Sequence, residues 1–284
     1  MISNYNYKPQ LYFTITFITT YVLWFIGAYI SFQENNTGMH MLFLLPGLMA
    51  PFIISLIMLY MANNADLKRD FFDRLINLKL IQPKYLPVFF LLMPAVVIVS
   101  ILISLLFGES QAQFQLAEGF SFSTGFVPVL MLLFLAALFE ELGWRGYAFD
   151  SLQSRFNYFK ASLIFSVLWS AWHFPLIFVK DSYQYEVLQQ NIWYAVNFFV
   201  SIVPMGIIIS WICIKNRKSV FAAILFHFII NMSQEILAIT QVTKCIETVV
   251  LALCTAIIIW IDKDLFFSKV HPVAADSIEK SHEQ

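Results

Sequence analysis

The chain has 284 residues, 60% of them hydrophobic and only 12% charged, with a formal net charge of −1 and a mean hydropathy of +0.73. A soluble domain carries about 25% charged residues, so these values exclude an ordinary soluble fold and indicate an all-α polytopic membrane protein. No basic stripe or aromatic–basic module is present, which argues against nucleic acid as a partner and leaves membrane lipids as the surroundings.

The N-terminal residues 1–10 are polar, and the first apolar run lacks a clear small-residue cleavage site, so it reads as a retained span and not a signal peptide. A span needs about 20 apolar residues. Eight are read, at about 11–31, 41–62, 85–107, 124–149, 160–179, 192–214, 219–240 and 243–261. They make residues 1–262 one integral membrane domain, and 263–284 a polar cytoplasmic tail. Between the second and third spans, residues 63–82 alternate Leu67, Phe71, Phe72, Leu75 and Ile76 with Lys68, Arg69 and Arg74. That spacing predicts an amphipathic helix on the inner leaflet, apolar on one face and basic on the other, stopped before Pro83. Cys213, Cys245 and Cys254 lie in or beside apolar runs without a CxxC pair and read as small buried hydrophobes.

With the N-terminus in the cytoplasm, 15 of the 17 Lys and Arg residues fall on the inner side, and only Lys180 and Lys244 fall outside. The positive-inside rule therefore predicts that both termini are cytoplasmic. The membrane is the cell membrane for a prokaryote and the endoplasmic reticulum for a eukaryote.

Ionisable residues within spans concentrate in the fourth, fifth and seventh: Glu140, Glu141 and Arg145; His173; His227 and Glu235. Such groups are costly in a bilayer and are read first as functional. Glu141 and Arg145 stand i,i+4 with the acid first, the favourable order for a helical ion pair, which leaves Glu140 free to face another way. Taken alone, that pair reads equally well as a clamp between helices. Pro175 follows two residues after His173, so a kink is expected beside the histidine. His227 and Asn231 share one helix face and offer two donors to one oxygen, the need of an oxyanion hole, or simply an interhelical hydrogen bond. Glu235, a further turn along, is given no role. Depths along the spans suit one cavity open to the cytoplasm and reaching about mid-membrane.

Glu140-Glu141-xxx-Arg145, Trp169-xxx-His173 and His227-xxx-Asn231, in that order on separate spans, resemble the EExxxR, FxxxH and HxxxN motifs of the CPBP family of intramembrane proteases. That family includes the CAAX prenyl proteases of the Ras-converting-enzyme type. Tryptophan replaces the usual phenylalanine but keeps an aromatic four residues before the histidine. The motif-bearing core covers about 120–240, and a prokaryotic member of the prenyl-protease branch is expected. The resemblance implies a glutamate-type peptidase. Glu140 and His173 would activate water, His227 and Asn231 would hold the oxyanion, and Glu141 and Arg145 would support them. The substrate would be a prenylated CAAX protein or peptide, losing its last three residues, with no cofactor.

Other readings stay open. Glu140, His173 and His227 are also a possible zinc ligand set, although HExxH is absent and Asn231 is a poor zinc ligand. A broader membrane-peptide protease and a non-enzymatic bacteriocin-immunity-type scaffold share the fold. A proton-coupled transporter would need polar groups in both halves of the chain.

Overall fold

The computed structural model describes residues 5–34, 38–119 and 128–268. The described chain is helical throughout, apart from one isolated antiparallel bridge between Leu116 and Leu237. In order it forms α1 (Pro9–Ser31), α2 (Met41–Met61), α3 (Ala65–Ile76), α4 (Leu86–Leu105), α5 (Val129–Gly143), a π turn (Trp144–Ala148), α6 (Phe149–Gln153), α7 (Tyr158–Trp172), α8 (Tyr183–Gln190), α9 (Ile192–Lys215), α10 (Val220–Glu235), α11 (Gln241–Ile261) and α12 (Lys263–Phe267). Side-chain oxygens cap the starts: Asn64 accepts from Leu67 N, Asn157 from Lys160 N and Ser219 from Ala222 N.

Six segments among the described residues are long and apolar enough to cross a membrane: α1, α2, 83–105, 158–178, α9 and α11. The fourth and seventh expected spans take another form. Residues 120–127, where the fourth was expected to begin, lie outside the described residues, and the π turn divides the remainder into α5 and α6. The seventh ends at Glu235, giving α10 only 16 residues. The kink expected at Pro175 is instead an end: α7 stops at Trp172, His173 caps it, and Phe174–Phe178 form a 3-10 turn. Proline after a helical histidine is relieved by termination here, because α7 packs on α9 and the chain then turns into α8.

Lipid tails are as apolar as leucine, so close packing and hydrogen bonds, more than burial, decide which helices meet. Pro51 in α2 has no N–H for the carbonyl of Gly47, and Thr20 Oγ1 on α1 supplies the missing donor at 3.1 Å. Trp172 Nε1 on α7 donates in turn to that hydroxyl at 2.9 Å. Gly143 ends α5 against the backbone of Pro51, and an added Cβ would stand 2.3 Å from the Pro51 carbonyl carbon. Gly143→Ala therefore forces α2 and α5 apart, at a cost of about 1–3 kcal/mol typical of overpacking. A clear fall in thermal midpoint is expected in detergent; an unchanged midpoint would mean the contact yields freely.

The predicted amphipathic helix forms as α3, shorter than expected, and its faces are used differently. Leu67 and Phe71 are buried against the protein, while Phe72 and Ile76 are exposed. Arg74, expected on the solvated basic face, is only 4% exposed. It is buried because Asp150 waits for it beside the π turn.

Candidate active site

The sequence-predicted residues converge on one cavity of about 510 Å³, lined by Glu140, Trp169, His173, His227 and Asn231 among others. Three helices deliver them. α5 brings Glu140 and Glu141, the last turn of α7 brings Trp169, its cap is His173, and α10 brings His227 and Asn231.

The adjacent glutamates part company. Glu141 is fully buried and faces away from the cavity wall. Its Oε1 and Oε2 accept from Arg145 Nη1 at 2.8 and 2.7 Å. Arg145 also donates through Nη2 to Gly206 O at 3.1 Å and Ser210 Oγ at 3.3 Å, tying α5 to α9. The guanidinium lies 4.4 Å over the Phe165 ring, a cation–π contact in a dry site. Oε1 of Glu141 accepts a further bond from His227 Nδ1 at 2.8 Å. The expected Glu141–Arg145 pair is thus present, and it has a third member that the spacing did not reveal.

Glu140 lies one residue round the helix, 6% exposed, on the cavity wall. Trp169 Nε1 donates to its Oε2 at 2.7 Å. Sequence reasoning saw Trp169 only as an aromatic near His173; its indole N–H, which phenylalanine lacks, was the available signal.

Each histidine is fixed through Nδ1. Trp169 O can only accept, so His173 Nδ1, at 2.8 Å, carries the proton and leaves Nε2 with its lone pair. His227 Nδ1 donates to a carboxylate, so its Nε2 is an acceptor when the ring is neutral and a donor only as imidazolium. Service to an oxyanion would therefore require the charged ring, held between Glu141 and the substrate. Asn231 Nδ2 makes a long bond of 3.5 Å to Leu133 O and lies on the cavity wall, one turn from His227. Among the described residues no three His, Cys, Asp or Glu side chains converge as metal ligands.

Glu235, left without a role by the sequence, also lines the cavity. So does Glu247, missed as a site residue, whose Oε1 accepts from Gln234 Nε2. Lys244 completes this group, with its ammonium 4.4 Å over the Tyr183 ring.

One expectation is corrected. The lining comes from Trp24 and from residues 40–48, 133–140, 169–184, 197–205, 227–235 and 244–251. Every one of these segments lies in the half of the bundle away from the described chain ends. The other half, holding Tyr5, Asp150, Lys218 and Phe266, contributes none. The mouth is ringed by exposed Lys180 and Asp181, opposite the basic end. The described chain ends and the cavity mouth therefore cannot share the cytoplasmic side. Depths counted along each helix brought the polar groups to a common level but could not tell from which end the space above them opens.

Residues 121–233 match a family model described as type II CAAX prenyl endopeptidase, Rce1-like. A curated relative from Methanococcus maripaludis, named CAAX prenyl protease 2, is 64% identical over 270 residues, covering 95% of this chain and 100% of the relative.

Proposed function

The chain belongs to the Rce1-like family of type II CAAX prenyl endopeptidases, and from that premise we propose that it removes the C-terminal tripeptide of prenylated CAAX proteins by glutamate-activated water, without a metal. The observation that carries the mechanism is the division of labour between the two glutamates. Glu141 is engaged by Arg145 and His227, whereas Glu140 faces the cavity and is held by Trp169.

In this reading Glu140 accepts a proton from a water hydrogen-bonded to His173 Nε2. The water oxygen attacks the scissile carbonyl carbon. Imidazolium His227 and the Asn231 amide donate to the oxyanion. Glu140 then returns the proton to the departing amide nitrogen, and the carbonyl re-forms as the C–N bond breaks. Asn231, a poor zinc ligand but a good oxyanion donor, stands beside His227 on the cavity wall and favours this over zinc ligation by Glu140, His173 and His227.

The eight-span arrangement is part of the proposal. The run from α5 through the π turn to α6 covers residues 129–153, roughly 37 Å at helical rise, enough to cross. α10 spans roughly 24 Å and would complete the count within a thinned or tilted setting.

Purified protein in liposomes should release the tripeptide from a farnesylated CAAX peptide, and do so in the presence of a strong chelator. Activity lost on chelation and restored by zinc would overturn the metal-free mechanism. No cleavage by folded protein would overturn the CAAX reading.

A second reading is favoured by charge. In the described chain, every Lys and Arg except Lys180 and Lys244 lies on the side of Glu140 away from the cavity mouth. The positive-inside rule would then turn the mouth outward, toward membrane peptides on the outer face. In a Cys245→Ser background, the prenyl-protein reading expects Lys180→Cys to react with a membrane-impermeant thiol reagent only in opened cells, and Lys79→Cys in intact ones. The reverse pattern would transfer the same hydrolysis to the second class of substrate.

A further inference from the structure

We infer that Arg74, on the surface helix α3, is a positioning residue for the reaction: it holds the backbone of the π turn from which Arg145 grips Glu141. The inference rests on the proposed peptidase activity and extends it to a residue outside the three motifs.

The π turn interrupts the regular helical ladder directly after the two glutamates, over Trp144–Ala148. Such turns recur at functional sites because they rotate and expose backbone groups that a regular helix would hide. Two carbonyls of this turn are met by one side chain from elsewhere in the chain. Arg74 donates to Gly146 O through Nη2 at 3.2 Å and to Arg145 O through Nη1 at 3.5 Å. The guanidinium is itself ion-paired with Asp150, Nη1–Oδ2 at 2.9 Å, and lies beside Asp70, Nε–Oδ2 at 2.8 Å but without hydrogen-bond alignment. Lys218, from the turn between α9 and α10, pairs with the other oxygen of Asp150 at 3.0 Å. Burial works against the charge on Arg74; Asp150 and Asp70 outweigh it and raise its pKa.

Packing reinforces the polar grip. Phe71, one turn back on α3, is buried against Gly146, where an added Cβ would stand 2.4 Å from its ring. Residues 145 and 146 are thus held by an arginine fork on their carbonyls and an aromatic ring on their flank. The chain of contacts runs from Arg74 to the Arg145 backbone, from the Arg145 guanidinium to Glu141, and from Glu141 to His227 Nδ1. Within a packed interior a shift of the turn moves His227, and displacement of a reacting group by about 1 Å can cost on the order of 100-fold in rate.

A planar fork can reach two carbonyls and two carboxylates together; an ammonium cannot. Arg74→Lys keeps the charge between Asp70 and Asp150 but gives up the fork. Its kcat per folded molecule should fall about ten-fold or more with KM little changed, and the pH dependence of kcat should shift, while the thermal midpoint stays near that of the wild type. Asp66→Asn, an exposed change in the first turn of the same helix, should keep near wild-type kcat. Phe71→Leu, which loosens the flank at Gly146 and touches no ion pair, should resemble Arg74→Lys, and it decides the matter if Arg74→Lys does not fold. Wild-type kcat in the folded Arg74→Lys or, failing that, the Phe71→Leu protein would overturn the inference, as would losses that follow the thermal midpoint alone. If the wild-type protein cleaves no peptide, the proposed function fails on its own. The ring-nitrogen NMR signals of His227 then give the test: a shift in Arg74→Lys supports the coupling, and an unchanged pair of signals overturns it.

Discussion

Glu140→Gln is expected to lower kcat by roughly 10³- to 10⁴-fold, at the upper end of what a general base contributes, with the fold intact. The side chain stands on the cavity wall and makes no ion pair among the described residues, so no buried cation is stranded when its charge is removed. The bond it receives from Trp169 Nε1 can be accepted equally by the glutamine carbonyl oxygen. The amide cannot take a proton from water. Turnover of a prenylated peptide, read beside the thermal midpoint of the same preparation, checks both halves. Substantial residual turnover would remove Glu140 as the base.

Glu141→Gln should do the opposite in order: it should damage the fold first and the reaction in consequence. Arg145 is 1% exposed and fully enclosed by α5, α7 and α9. Loss of one partner from a buried pair leaves an uncompensated charge, which costs about 3–5 kcal/mol. His227 Nδ1 loses its ionic acceptor in the same step. A large drop in thermal midpoint and a poor yield of folded protein are expected. Pairing Glu141→Leu with Arg145→Met removes both charges together and should restore most of the midpoint while activity stays lost. If the midpoint of Glu141→Gln equals the wild type, the buried pair is not what joins α5 to α9. On the proposed mechanism, two neighbouring residues of one type divide into a reagent and a strut, set apart by the turn of a helix.

Much of the site was legible in the sequence because its chemistry is local. An i,i+4 spacing puts Glu141 on Arg145 and His227 beside Asn231 wherever the helices go. The apolar runs likewise marked where helices would form, since lipid leaves few other choices. What spacing could not supply was contact between distant segments. The third partner of Glu141 comes from 86 residues away, and the indole donor to Glu140 from 29. Arg74 looked like a surface base because its neighbours on α3 are surface bases; only the packing of α3 on the π turn buries it. The π turn itself leaves no plain sequence mark, as within Trp144–Ala148 only Gly146 disfavours an ordinary helix and a lone glycine does not specify a wider turn. That the cavity mouth and the described chain ends lie at opposite ends of the bundle was missed for a related reason: charge counts describe loops, and the cavity depends on which halves of the helices splay.

That asymmetry between the halves has a topological meaning. The space above Glu140 and His227 is open, whereas beneath them Arg145, Tyr147, Phe149 and Tyr158 are buried, with only a separate void of about 10 Å³ among them. Among the described residues the chamber is a dead end. A polypeptide cannot be threaded through it from one side to the other, so cutting in the middle of a long chain would require two strands to enter abreast. A loose end needs to enter only once, and its severed fragment must back out by the way it came. On the proposed activity, a floor with no exit would favour cleavage at the tips of chains before any side chain of the substrate is read.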